Sequence, residues 1–217
     1  MHRVQHDYER LRNTFDGLAR RVSGALHDSL LALRRSDAIG AAQIVKDDAD
    51  INALQQDVEE QATRLLAQWQ PMLRDLRRVV AILMVAGELE RIGDYAKQIA
   101  AHVTQARAVN HALPALAELQ RLGALTEQIL AASIAAFTAE DVSAARGIAP
   151  LDDQIDVLRH AIVAAVRGAP LNDAAAFDAG LATIEIARTL ERVADRATNI
   201  AERTIYLATA THESLNP

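Results

Sequence analysis

The chain has 217 residues, of which 50% are hydrophobic, 24% charged and only 3% aromatic, and it contains no cysteine. This composition is typical of a helical protein of one or two small domains with an aliphatic core. A formal net charge of −6 and so few aromatic side chains argue against a nucleic-acid partner, because neither a basic surface nor a stacking platform is expected. Without cysteine, a metal ion would have to be held by oxygen or imidazole ligands.

The polar N-terminus lacks the apolar core of a signal peptide. The apolar run Val79–Ala86 is far shorter than the roughly 20 residues that a membrane span requires. We therefore expect a cytoplasmic protein with no membrane span.

Apolar residues at helical spacing predict three long helices in the first half of the chain. Ser36 and Asp37 supply a stop and a new N-cap, and Pro71 ends the second helix. A phase drift at residues 47–50 predicts a kink in that helix. The predicted helices cover about 8–35, 37–69 and 73–108.

The second half repeats this pattern after a linker marked by His111 and Pro114. Its predicted helices cover about 114–139, 141–166, with a kink at Pro150, and 172–210. The fold class is therefore all-α, with two tandem-repeated antiparallel three-helix bundles over residues 8–110 and 114–212.

A tandem duplication explains why the two halves match residue by residue. An offset of 104 relates the first two helices of each half, and the offset falls to 101 in the third. The residues Leu26, Leu30, Leu33, Asp37, Asp48, Ile51 and Leu54 thus correspond to Leu130, Ile134, Phe137, Asp141, Asp152, Ile155 and Leu158.

The third helix of each half carries two carboxylates four residues apart, Glu90 with Asp94 and Glu191 with Asp195. Both side chains of a pair project from one helix face about one turn apart, a spacing suited to binding a metal ion. Like charges at this spacing cost a few tenths of a kcal/mol, so a compensating cation is expected.

The neighbouring Arg91 and Arg192 offer a simpler source of positive charge, through ordinary surface ion pairs. At about 100° per residue, both acidic pairs lie opposite the apolar stripe of their helices and are expected to face outward. No Glu-x-x-His motif occurs, which removes the buried di-metal bundle and leaves a surface or groove site.

The second helix of each half adds a matching device, Asp48-x-x-x-Asn52 and Asp152-x-x-x-Asp156. Carboxylate and amide oxygens are hard ligands suited to magnesium, calcium, manganese or iron. Helix N-capping near the kinks is the alternative role for Asp48 and Asp152.

Other polar residues lie near these candidates. Asn199 and Glu202 follow Asp195 on neighbouring turns and are candidate additional ligands. The arginines of the Arg74–Arg78 stretch form a basic cluster that either is solvated or meets an acidic partner or phosphate.

The stretches Glu88–Asp94 and Leu190–Glu202, with the Asp-x-x-Ile segments that begin at Asp48 and Asp152, resemble the PhoU family of phosphate-uptake regulators. The resemblance spans about Leu11 to Leu207. It implies multinuclear metal clusters on the surface, held by Glu90, Asp94, Asp152, Asp156, Glu191 and Asp195. Two departures from the family pattern are Asn52, in place of an acid, and Ala194, where the first copy has Gly93.

The resemblance implies an adapter without catalytic residues, a cytoplasmic negative regulator that links a phosphate ABC transporter ATPase subunit to a sensor histidine kinase. It also implies a homodimer and bound divalent or ferric ions, such as iron, zinc, manganese or magnesium. Two alternatives are a metal-dependent hydrolase that uses the same carboxylates, and an accessory regulator of another ion or phosphate permease. Outward-facing acids without a placed general base favour the adapter over the hydrolase.

Overall fold

The fold is all-α, as predicted, in a computed structural model that describes residues 2–108 and 112–215. Within these ranges there is no strand. The helices are α1 (His2–Arg35), α2 (Ala38–Trp69), α3 (Leu73–Ala108), α4 (Leu116–Ala139), α5 (Val142–Arg146), α6 (Ala149–Gly168) and α7 (Ala174–Thr209). The short α5 and α6 together take the place of one long helix. Residue 110, where we placed a domain boundary, and His111 of the predicted linker lie outside the described ranges.

The second helix of each repeat begins with the same capping device. Asp37 accepts hydrogen bonds from the backbone N–H groups of Ile39 and Gly40 at 3.1 and 3.0 Å. Asp141, 104 residues later, accepts one from Ala144 at 3.0 Å. Each carboxylate satisfies N–H groups that have no partner within their own helix. The local sequence thus determines where the second helix of each half begins.

The two kink predictions have different outcomes. The helix α2 runs without interruption through residues 47–50. In the second half, α5 ends at Arg146 and α6 begins at Ala149, so the bend expected at Pro150 is a complete break slightly earlier. Pro150 stands in the first turn of α6, where its missing N–H needs no partner.

The two repeats share one core. Helices α1, α2 and α3 pack together, as do α4, α6 and α7, and α3 also packs along α7. Contacts of Arg77 with Leu207, and of Glu88 with Arg196, show that α3 and α7 run antiparallel. A single apolar cluster spans both halves. Because α2 lies beside α3 and α6 beside α7, each pair of helices forms a groove in which the predicted acids can meet.

One described helix, α4, is long and apolar enough to cross a membrane by length and composition, with a mean hydropathy of 1.4. By length and composition, α4 is therefore a better candidate for a membrane span than the apolar run Val79–Ala86. The helix packs against α7, α6 and α1, and its buried residues include Leu119, Leu122 and Ile129. Its apolar composition thus serves the core of the bundle.

Gly93 on α3 packs tightly against Ile51 on α2. A Cβ atom at this buried position would lie 2.9 Å from Cδ1 and 3.0 Å from Cγ2 of Ile51, closer than side chains normally pack. The equivalent Ala194 is fully buried, so the second repeat accommodates the methyl group. The difference between Gly93 and Ala194 therefore reflects tight packing of Gly93 against Ile51 beside the first groove.

We expect Gly93→Ala to lower the free energy of unfolding by about 1 kcal/mol, because overpacking outweighs the gain in helix propensity. Gly87→Ala is the matched control on the same helix, since nothing lies within 4 Å of its added Cβ. That change should raise stability by up to about 1 kcal/mol. Urea unfolding measures both effects, and equal stabilisation by the two variants would contradict the packing argument.

Candidate functional site

The first groove lies between α2 and α3, and a lysine bridges it. The carboxylate of Asp48 is 7% exposed and accepts a hydrogen bond of 2.7 Å from Lys97 Nζ. The same ammonium lies 3.9 Å from Asp94 Oδ1. The hydrogen bond to Asp48 raises the pKa of Lys97, so the lysine stays charged at neutral pH. Asp48 lies inside α2, and the alternative that it caps a helix is therefore wrong.

Glu90 completes the acidic side of this groove. It is partly buried, and burial raises its pKa, with the charges of Asp94 and Asp48 adding to the effect. Asn52, also partly buried, adds no charge. The acids thus lie at the edge of a groove rather than fully outward, because α2 packs beside them.

The second groove, between α6 and α7, brings four carboxylates together. Asp152 stands in the first turn of α6 and is only 8% exposed. Burial, followed by the charges of Asp195 and Asp156, raises the pKa of Asp152 to about 6. Burial also raises the pKa values of Glu191 and Asp195, and both feel the charge of Asp156. Asp152 is not the N-cap of α6, because Ile148 holds that position.

An arginine that sequence reasoning missed lies at the edge of the second groove. Arg159 Nε forms an ion pair of 2.8 Å with Glu191 Oε1, and both side chains are about one-quarter exposed. Arg159 follows Asp156 by three residues, just as Lys97 follows Asp94 by three. A basic residue at this spacing shares a helix face with the acid, which is a signal that could have identified both cations.

The arginines expected to balance the acidic pairs act differently. Arg192 lies over the ring of Tyr95, 4.4 Å from its centroid, in a cation–π contact that joins the two repeats. Arg91 is exposed, although its charge does lower the pKa of Glu90. Lys97 forms ion pairs with Asp48 and Asp94, and Arg159 forms one with Glu191.

The candidate additional ligands are directed elsewhere. Asn199 Nδ2 donates to Glu88 Oε2 at 3.4 Å, and Glu202 Oε1 accepts from the backbone N–H of Leu215 at 2.9 Å. Arg196 also contacts Glu88, at 3.3 Å. These residues link the repeats and the C-terminal segment, and they do not extend the acidic groove.

The arginine cluster at the start of α3 meets an acidic partner within the chain. Arg78 Nε donates to Glu140 Oε1 at 2.7 Å, and Arg74 also bonds this carboxylate. Burial would raise the pKa of Glu140, but the two arginines outweigh it and hold the pKa below its usual range. The cluster therefore fastens α3 to the end of α4.

Across the part of the chain that the structure describes, no three His, Cys, Asp or Glu side chains are arranged closely enough to hold a metal ion. Metal binding would require the groove carboxylates to rotate towards one another. In the second groove the donor set suits a hard cation, because carboxylate oxygens are hard ligands and neighbouring negative charges contribute to the raised pKa values of Asp152, Glu191 and Asp195. In the first groove, Lys97 already lies between two of the acids.

The fold and the grooves define a class of protein: a duplicated three-helix bundle that carries an equivalent acidic groove in each half. The family model of the PhoU domain matches the chain twice, over residues 15–103 and 119–204. The chain therefore belongs to the PhoU family.

Relatives match almost the whole chain. A Streptococcus pneumoniae protein named phosphate-specific transport system accessory protein PhoU homolog is 35% identical over 99% of this chain and 100% of its own length. The accessory protein PhoU of Edwardsiella tarda is 32% identical over 85% of this chain and 76% of its own.

Solved structures agree with the fold. The crystal structure of PhoU from Pseudomonas aeruginosa has a TM-score of 0.90 and 28% identity, covering 95% of this chain and 99% of that one. The phosphate transport system regulatory protein PhoU from Streptococcus pneumoniae has a TM-score of 0.88 and 33% identity, covering 97% and 99%.

The raised pKa of Asp152 gives a pH dependence with a definite sign. The unfolded chain releases this proton near its ordinary pKa of 3.8, whereas the folded chain holds it until about pH 6. Stability therefore falls as the pH rises through this window.

Asp152→Asn keeps the side-chain size and removes the charge. With EDTA present, the variant should be more stable than wild type by about 1 kcal/mol near neutral pH, less than the full shift implies because water screens part of it.

Asp153→Asn is the control, because this exposed neighbour gives the same change in net charge. Thermal unfolding near pH 4 and near pH 7.5 compares the three chains. Near pH 4 the advantage of Asp152→Asn should vanish. Equal effects of the two substitutions near pH 7.5 would contradict the assigned environment of Asp152.

Proposed function

We propose that this chain is an accessory regulator of phosphate transport that acts by contact with other proteins and not as an enzyme. The observation that carries this proposal is the match along nearly the full length to relatives named phosphate-specific transport system accessory proteins. A fold alone would not support it, because one fold hosts many functions. Here the relatives share the duplicated domain as well as the fold.

The finer proposal concerns partners. We infer that the chain links the ATPase subunit of a phosphate ABC transporter to a sensor histidine kinase and keeps phosphate-starvation genes off when phosphate is plentiful. Its support is the family membership, together with a rigid shared core that presents both halves as one body. The chain is proposed to act in the cytoplasm, where such an ATPase and kinase domain would be reached, and as a homodimer.

Metal binding is the third element of the proposal. The acidic grooves recur at equivalent positions, and carboxylates buried beside one another gain from a cation. A metal ion that binds only the folded chain also stabilises it by mass action. Hard ions such as magnesium or manganese suit these oxygen ligands, and iron or zinc are further candidates.

Metal binding is tested first on the purified, tag-free chain. We expect calorimetry and elemental analysis to detect bound manganese or iron in the wild type and much less in an Asp94→Ala, Asp195→Ala double variant. A control variant replaces Asp57 and Asp178, which are exposed and belong to neither groove. At 100 times the dissociation constant, the metal should stabilise the wild type by about 2.7 kcal/mol. Identical uptake by all three proteins would refute the assigned ligands.

Regulation is tested in the cell that encodes the chain. Deleting the gene should switch on a phosphate-starvation reporter in phosphate-rich medium, and the wild-type gene should restore repression. Pull-downs from the complemented strain should recover the transporter ATPase or the sensor kinase. Normal repression in the deletion strain, with neither partner recovered, would reject the adapter and favour a regulator of another permease or a hydrolase.

A further inference from the structure

The two acidic grooves come from one duplicated unit, so they can be compared position by position. An offset of 104 relates Asp48 to Asp152, and an offset of 101 relates Asp94 to Asp195. The offset of 101 also places Thr198 where the first repeat has Lys97. The duplication has therefore diverged at the position that supplies a cation to the first groove.

The Lys97 ammonium holds a bridging position in the first groove. It donates to Asp48 on α2 at 2.7 Å and lies 3.9 Å from Asp94 on α3. A metal ion that joined the two helices would need these same two carboxylates. An ammonium group is a compact charge with three donors, so it can occupy the place of a small cation between carboxylates. Entry of a metal would displace Lys97 from a buried carboxylate or force two positive charges together.

The second groove has a different composition. Thr198 is uncharged and 2% exposed, and its Oγ1 has no hydrogen-bond partner within the described ranges. Asp156 adds a charge where the first repeat has the neutral Asn52. The nearby cation, Arg159, extends from α6 and forms its ion pair with Glu191, and the position equivalent to Lys97 holds the uncharged Thr198. This groove therefore has more negative charge and no lysine at its centre.

We propose that the Lys97 ammonium takes the place of a metal ion in the first groove, so that this chain binds metal in its second groove only. The inference rests on the metal-binding part of the proposed function and narrows it to one half of the duplicated chain. The residues of the first groove do not fit a metal, although the two halves share the same carboxylate motif.

The first test compares two equivalent substitutions, Asp94→Asn and Asp195→Asn, in the tag-free full chain. After the metal is stripped with a chelator, manganese binding is measured by equilibrium dialysis and calorimetry. We expect Asp94→Asn to keep the wild-type stoichiometry and affinity, and Asp195→Asn to lose most of the bound manganese. Circular dichroism checks that each variant remains helical.

The second test restores symmetry with Lys97→Thr, which copies the residue at the equivalent position of the second repeat. We expect this variant to bind additional manganese, and the addition should disappear when Asp94→Asn is combined with it. The matched control is Lys46→Thr, because Lys46 is the other lysine of the chain and is exposed. The control should bind manganese like the wild type.

Two results would overturn the inference while leaving metal binding in place. One is an equal loss of manganese from Asp94→Asn and Asp195→Asn, and the other is an unchanged stoichiometry in folded Lys97→Thr. If Lys97→Thr fails to fold, the first comparison still decides, because it leaves Lys97 intact. No manganese uptake by any of the chains would instead reject the metal-binding part of the proposed function, and this inference with it.

Discussion

Negative charge held between packed helices is the constraint on which the site depends. A carboxylate that leaves water must find a cation or donors, or its pKa rises until it holds a proton. Asp48 is bonded to Lys97, and burial together with the charges of Asp195 and Asp156 raises the pKa of Asp152 to about 6. Equivalent acids of the two repeats are therefore in different electrostatic environments. Each environment requires the two helices of its groove to stay closely packed.

The duplicated fold makes these differences interpretable. Each repeat places its second helix beside its third, so equivalent acids meet in equivalent grooves. Packing and charge then diverge independently. An added Cβ at Gly93 would contact Ile51 too closely, whereas the second repeat holds a methyl group at the equivalent Ala194. Lys97 bridges its groove, whereas the equivalent Thr198 is buried and uncharged. Such divergence is expected when two copies keep a common core but no longer serve identical roles, because the shared core constrains only the apolar positions.

The sequence predicted the helices well, because their limits depend on local chemistry. Asp37 and Asp141 cap helices through N–H groups two or three residues away, and an apolar stripe at helical period needs no distant information. The cations of the grooves were missed because ion pairs between helices depend on helix rotation. Arg192 was expected near Glu191 from adjacency alone, yet adjacent residues point apart on a helix, and it reaches Tyr95 of the other repeat.

The contacts between α3 and α7 connect the two grooves. Glu88 precedes Asp94 of the first groove by six residues on α3. It is held by Arg196 and Asn199, which follow Asp195 of the second groove on α7. Arg192 and Tyr95 add a second contact across the repeats. Packed helices move as units. A change of charge that drew α6 towards α7 would therefore also act on α3, because α7 is bonded directly to α3. The proposed adapter would therefore carry the proposed metal-binding groove and the groove with its own lysine on one packed body.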